Sequence, residues 1–458
     1  MSGWAESSGH LTELQNGFRP NRRLEDNLFV VTQCIEVARK QSRGLLTCFL
    51  DVAKAYDSVP HDLMLRRMTE LGMPQEWTRR LYADSSVVAR LADTSSEPVK
   101  VSRGLRQGCP LSPLLYMLYA SGLESALIQS NTGFKMKFLS EGQPEVWTLP
   151  GLVFADDIVL LAEDRHQLQQ LVTISAHHLA GLGLRFNPQK SSVVQFAGEV
   201  DTNLPLELPN GDKLPFSTEY RYLGVTIDMG EGQFLRHEDR LRQTSQRASC
   251  ILRRRSLWGC NRYVLVRELW KSVHVPCLTF ANAIICLTSR TREWLERGQR
   301  EVGRLALGCH GRVAVEAIQG DVGWSTFEAR EATSKIAYEG RLRFMNDHRW
   351  ARRMFRYLHF VGLRTQWLNR VYFLRRKYGM LDCSTLENTE RKFTAAVRKR
   401  IREEESAQWQ MSLQQKSTLQ LYRTYKEVIA PESLYDNSGG KLSPARARRS
   451  RKEEEAIF

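Results

Sequence analysis

Over the first 230 residues the spacing of apolar positions switches repeatedly between helical, alternating and continuous. Between Glu25 and Gln41, Leu28, Val31, Ile35 and Ala38 fall on one helical face. Gly44–Leu50 is a continuous apolar run, the pattern of a buried strand, and it ends at Asp51. Pro60–Leu71 is expected to be a helix stopped by Gly72 and Pro74. Val87–Arg90 and Val99–Val101 are expected to be paired strands, and Ser112–Ile128 one long apolar helix. Leu152–Phe154 and Ile158–Leu161 are short, branched and apolar, so they predict two strands joined by a tight turn at Ala155-Asp156-Asp157. Leu168, Leu171, Val172, Leu179 and Leu182 line a helix closed by Gly181 and Gly183. Strands are expected at Leu184–Phe186, Val193–Phe196 and Tyr220–Ile227.

Beyond residue 230 strand signals thin out, and helical, basic segments dominate to about Glu432. Residues 1–10 are small and polar and predict an unanchored start. Asn437-Ser-Gly-Gly followed by PARARRSRKEEE predicts a disordered charged tail. The pattern divides the chain into a flexible start (1–10), a mixed α+β region (11–228), a helical region (229–315), a helical extension (316–432) and the tail (433–458).

Composition adds a partner class. With 66 Lys+Arg against 51 Asp+Glu the chain carries +15, with a pI near 9.5. A surplus of that size favours a polyanion, nucleic acid before membrane. Nine scattered Cys without CxxC pairing argue for a reducing, intracellular compartment and no disulfide framework. His274, Cys277, Cys286, Cys309 and His310 match no compact zinc module, so buried thiols are expected there. No run of 18 apolar residues and no charged-then-apolar start occur, so neither a membrane span nor a signal peptide is expected.

The chemistry centres on Asp156 and Asp157. Asp is common at tight turns because its carboxylate bonds nearby backbone N–H groups, and an isolated Asp-Asp pair needs no other reason. Two adjacent carboxylates among apolar strands nevertheless repel each other, and burial disfavours both anions. A divalent cation relieves both problems. Asp51 ends another apolar strand, and strand-end carboxylates of one sheet can converge on a pair of Mg²⁺ ions roughly 3.5–4 Å apart, the arrangement that activates a 3′-hydroxyl and stabilises a leaving pyrophosphate.

Six segments then stand in a diagnostic order: QNGFRPNRRLEDN (15–27), FLDVAKAYDSVPHDLM (49–64), RGLRQGCPLSPLLYMLY (103–119), FADD (154–157), GLRFNPQKS (183–191) and YLGVTI (222–227). Together they resemble the reverse transcriptase of non-LTR (LINE-type) retrotransposons. The resemblance implies an α+β right-hand fingers–palm built on an antiparallel sheet, followed by an α-helical thumb and a helical C-terminal region. It implies an RNA-directed DNA polymerase using two Mg²⁺ ions, with Mn²⁺ able to substitute. Its partners would be an RNA template, a DNA primer, dNTP and an RNA–DNA duplex along the thumb, and it would act in the nucleus or cytoplasm.

Residue by residue, Asp51, Asp156 and Asp157 would carry the metals. Tyr56 would be the aromatic gate that excludes a ribose 2′-OH, and Gln107 and Gly108 would meet the incoming nucleotide. Arg19 and Arg22 would neutralise triphosphate or template phosphate, with a surface-arginine reading of equal weight. Lys190 would protonate the leaving pyrophosphate, and Tyr222-Leu223-Gly224 would be the hairpin that holds the primer end. Arg240, Arg242, Arg247 and Arg253–Arg255 would track the duplex backbone. Met1 lies close to the second fingers motif, so a truncated copy without earlier fingers segments or an upstream endonuclease is expected. The alternatives are loss of activity through that truncation, an intron-encoded reverse transcriptase with maturase function, and a non-catalytic RNA-binding remnant.

Overall fold

The computed structural model describes residues 2–436 apart from 75, 77–79, 81, 83, 84, 141, 200–204, 257–260 and 382–388. The tail from residue 437, Cys260 and Cys383 lie outside the described residues. The chain forms two compact units: Met1–Gln233 with Asn346–Thr365, and Phe234–Met345 with the chain from Gln366 on.

The first unit is built on a four-stranded antiparallel sheet of β1 (Leu45–Asp51), β2 (Gly151–Phe154), β3 (Asp157–Ala162) and β4 (Ser192–Ala197), in the order β4-β1-β3-β2. Six consecutive residues of β1, Leu45–Leu50, are buried, because both faces of the sheet are covered. One face packs Leu46, Cys48, Leu50 and Leu160 with Leu168, Leu171, Val172 and Leu179 of the helix Arg165–Gly181, and with Leu115–Tyr119. The helix α1 (Leu24–Lys40) serves the sheet as well and is buried from Asp26 to Ala38, nearly all round. Its far side is covered by α2 (Trp350–Phe360), which returns from far along the sequence. Asp26 pairs with Arg349 at 2.6 Å, and the Gln41 amide donates to the Tyr357 hydroxyl at 3.2 Å.

Four expectations are corrected here. The apolar stretch 112–128 is two helices, Ser112–Ala120 and Leu123–Gln129, because Ser121 is extended and Gly122 takes φ +103°. Leu184–Phe186 is not a strand; only Phe186 bridges Val52. Tyr220–Ile227 is a hairpin, Glu219–Tyr222 with Val225–Asp228, turning at Leu223 (φ 45°) and Gly224 (φ 84°). The start is anchored: Ser2–Ser7 is helical, and Ala5 is fully buried.

Among its described residues the second unit has helices and connecting turns but no strand. Its longest helix, Glu390–Gln415, buries Phe393, Val397, Ile401, Glu405, Trp409 and Leu413 at a regular spacing of four. It lies so close to Phe327–Phe344 that a Cβ on Gly340 would come within 2.2 Å of the Phe393 ring. The basic helix Leu235–Arg255 exposes Arg240, Arg247 and Arg253–Arg255, while Arg242 pairs with Asp239 and Glu238. Cys277, expected to be buried, is exposed, and Cys286 and Cys309 are half-buried.

Candidate active site

The register of β1 on β3 places Asp51 directly opposite Asp157. Directly opposed residues of an antiparallel pair project to the same face, with Cβ atoms roughly 4.5–5.5 Å apart. That face also carries Phe49, which stacks on Tyr220 at 4.3 Å. The β2–β3 turn is shorter than expected. Phe154 pairs with Asp157, which is therefore the first residue of β3, and only Ala155 and Asp156 turn the chain. Ala155 has φ 59°, at a hairpin position where Gly is the usual residue.

Asp51, Asp156 and Asp157 are half-buried, and none has a salt-bridge partner among the described residues. Burial, then Asp156, then Asp51 push the Asp157 carboxyl up to about 6. Asp156 is raised as well by burial and by Asp51, against its own backbone N–H. Among the described residues no three His, Cys, Asp or Glu side chains stand close enough to hold a metal ion as they are, these three included. Asp51 is held on its other side by the loop before β4: its N–H donates to Ser191 Oγ at 3.1 Å, and its carbonyl accepts from Asn187 N–H at 2.8 Å.

Asp156 lies beside two tyrosines. Tyr56 stacks on Tyr116 with centroids 5.0 Å apart and planes 15° from parallel. Burial and then Asp156 push the Tyr56 phenol up to about 12, and Tyr116 is raised by burial, Asp156, Tyr56, Asp157 and Asp51. The sequence reading missed Tyr116. Its signal was a tyrosine inside the aliphatic run LLYMLY, four residues into a helix.

Residues 5–227 match the model of the family "Reverse transcriptase (RNA-dependent DNA polymerase)". They are a reverse-transcriptase domain. The Pol polyprotein of a type-1 retrotransposable element R2 of Nasonia vitripennis is 31% identical over 232 residues, covering 48% of this chain and 22% of that protein. The RNA-directed DNA polymerase from mobile element jockey of Drosophila funebris is 25% identical over 293 residues, covering 61% and 30%. The curated relatives matched are thus spanned for about a fifth to a third of their length, from 20% to 31%. An apo telomerase structure from Candida tropicalis aligns at 12% identity and a TM-score of 0.34, covering 77% of this chain and 58% of that one.

Within the reverse-transcriptase domain the remaining expected residues fall into three groups. Gln107 is exposed, and its amide donates to Asp57 at 3.0 Å. Gly108 has φ 82° with nothing within 4 Å of a would-be Cβ, so its backbone conformation, not a close approach, calls for glycine. Lys190 is exposed in the loop that holds Asp51, and its carbonyl accepts from the Tyr220 hydroxyl at 3.0 Å.

The two arginines differ from expectation. Arg19 is buried, bidentate on Glu6 (2.8 and 2.7 Å), and also donates to the Thr12 and Gln15 carbonyls. Arg22 is bidentate on Glu13 (2.7 and 2.9 Å) and donates to Asn16 at 3.1 Å. As they stand, both tie the chain's start together, and neither is a surface arginine or free to meet a phosphate. The segment's buried amides Gln15, Asn16 and Asn27 lie against the Asp156 hairpin instead. No helix among the described residues is long and apolar enough to cross a membrane.

Proposed function

We infer that the chain is an RNA-directed DNA polymerase that extends a DNA primer along an RNA template with dNTPs. The observation that carries this reading is the pairing of Asp51 with Asp157 beside Asp156, three half-buried carboxylates with no salt-bridge partner among the described residues, inside a reverse-transcriptase domain. Hard, crowded carboxylate oxygens suit two Mg²⁺ ions, with Mn²⁺ able to substitute, and side-chain rotation at the sheet end would let the three hold them. Such ions, when bound, make the primer 3′-hydroxyl a better nucleophile and neutralise the leaving pyrophosphate.

The chain's own residues supply the rest. The Tyr56 ring would lie under the sugar and exclude a 2′-hydroxyl. Gln107 would bond the incoming nucleotide, its amide held ready by Asp57. Lys190, carried on the loop that clamps Asp51, would deliver a proton to the pyrophosphate. The Leu223-Gly224 hairpin would support the primer end, and the exposed arginines of Leu235–Arg255 would follow the duplex backbone as a thumb. The polymerase would act in the nucleus or cytoplasm.

Primer extension on an RNA template tests the reading, with Asp156→Asn beside the wild type. Extension by the wild type and not by the variant is expected. Equal signals, or none from the wild type, would favour an RNA-binding chain without catalysis.

A further inference from the structure

The geometry points to Gln15 as a positioning residue that holds the backbone of the Asp156 turn from behind, an assignment resting on the reading of that turn as catalytic. Gln15 is only 2% exposed, and its Oε1 accepts two backbone N–H groups, from Gly17 at 2.8 Å and from Ala155 at 3.0 Å. Ala155 is the residue that most needs help. Its φ of 59° brings Cβ against the following carbonyl, a cost that only glycine escapes. The Gln15 acceptor bonds the N–H of this strained residue, immediately before Asp156.

The bond sits in a frame that fixes it. Leu14–Asn16 runs along the free edge of β2: Val153 N–H donates to the Leu14 carbonyl, and Asn16 N–H to the Val153 carbonyl, both at 2.9 Å. Gly17 follows so closely that a Cβ there would come within 2.3 Å of the Ala155 nitrogen. Asn16 donates to Asn27 at 2.6 Å, and Asn27 donates to the Tyr222 hydroxyl at 3.0 Å and to the Val153 carbonyl at 3.4 Å. A buried carboxamide is costly unless satisfied, so a chain of them aimed at one hairpin fixes that hairpin's position. An apolar side chain at 15 would fill the same volume and leave two buried N–H groups without an acceptor.

The test compares the full chain with Gln15→Leu, which removes the acceptor, and Gln15→Glu, which keeps it. Hydrogen exchange read by mass spectrometry over 153–158 is expected to speed up about tenfold or more in the leucine variant and to recover in the glutamate variant, with β1 unchanged. No acceleration at the turn, or an equal acceleration throughout the unit, overturns the assignment. Primer extension per folded molecule should lose about 10- to 100-fold in kcat with KM for dNTP little changed, the signature of displaced catalytic groups; an unchanged kcat also overturns it. If the leucine variant gives no folded protein, Gln15→Asn, one methylene shorter, is read the same way. A wild type that makes no DNA would sink the polymerase reading alone, and the exchange comparison would still decide the role of Gln15.

Discussion

Asp51 and Asp157 face each other across neighbouring antiparallel strands, and Asp156 follows Ala155 in the turn that β3 leaves. Like charges directly opposite each other weaken a sheet. Here the repulsion is retained at the sheet's end, with burial adding to it and no ion pair among the described residues to offset it. Asp51→Asn and Asp156→Asn should each lower primer extension at least about 100-fold, since each removes several kcal/mol of charge stabilisation from the reacting phosphate. Thermal unfolding without metal should show neither variant less stable than the wild type. A large fall in melting temperature would mean that these carboxylates hold the fold together.

Burial, together with the same repulsion, sets a pH dependence. The folded-state value for Asp157, about 6, lies above its ordinary 3.8, so the fold holds that proton more tightly than the unfolded chain does. Its stabilising contribution is present below about 3.8 and is lost as pH rises through about 6. Divalent cation needs the ionised form. Millimolar Mg²⁺ should therefore raise the melting temperature by a few degrees at pH 8 and leave it unchanged at pH 5. Scanning calorimetry at the two pH values checks this, and an equal shift at both would remove the link to these carboxylates.

Tyr116 should govern sugar selection through Tyr56. Tyr116→Phe keeps the 5.0 Å stack and should keep the preference for dNTP over rNTP. Tyr116→Leu removes the ring beneath Tyr56, and the preference should fall about two- to tenfold, the equivalent of the roughly 0.5–1.5 kcal/mol such ring pairs are worth. The ratio of kcat/KM values reads this independently of how much protein is folded. Equal ratios in the wild type and the leucine variant would leave Tyr56 self-supporting.

A buried acid away from the site offers a stability test. Glu124 is 3% exposed, its Oε2 has no hydrogen-bond partner, and burial pushes it up to about 7 from an ordinary 4.5. Raised in the fold, it stabilises below about 4.5, and that contribution is lost as pH rises through about 7. Glu124→Gln should stabilise by on the order of 3 kcal/mol at pH 8 and by almost nothing at pH 4. Urea unfolding at both pH values measures the difference.

Legibility in the sequence followed how local each cause was. The strands β1, β2 and β3 announce themselves as short apolar runs, and their aspartates stand where the runs end. The opposition of Asp51 and Asp157 is a matter of register between distant segments, which the apolar runs do not encode and which entered only through the order of motifs. The break at Gly122 was hidden for a similar reason: His178 and Arg67 crowd it, at 3.2 and 3.3 Å from a would-be Cβ, and both come from other helices. The residue pattern over Tyr220–Ile227 suggested one strand because leucine is a poor turn residue; the hairpin at Leu223 was expected only through the resemblance. By contrast, the alternation Phe134, Met136, Phe138 against Lys135 and Lys137 was a plain strand signal that went unused; the structure pairs Phe134–Ser140 with Gln143–Leu149. Arg19 looked like a phosphate ligand because its partner, Glu6, sits in a stretch whose polarity suggested no structure, and the pairing of Arg22 with Glu13 is a matter of loop geometry that the pattern does not encode.

The return of Trp350–Phe360 onto α1 means that the first unit is not contiguous along the gene. A ribosome that has just released residue 233 has delivered the whole sheet and all three aspartates, yet a helix needed to cover α1 is still over a hundred codons away. The nascent unit must wait with that flank open to solvent or to a chaperone. A laboratory fragment trimmed at 233 would inherit the same bare flank permanently, and should be sticky for that reason alone.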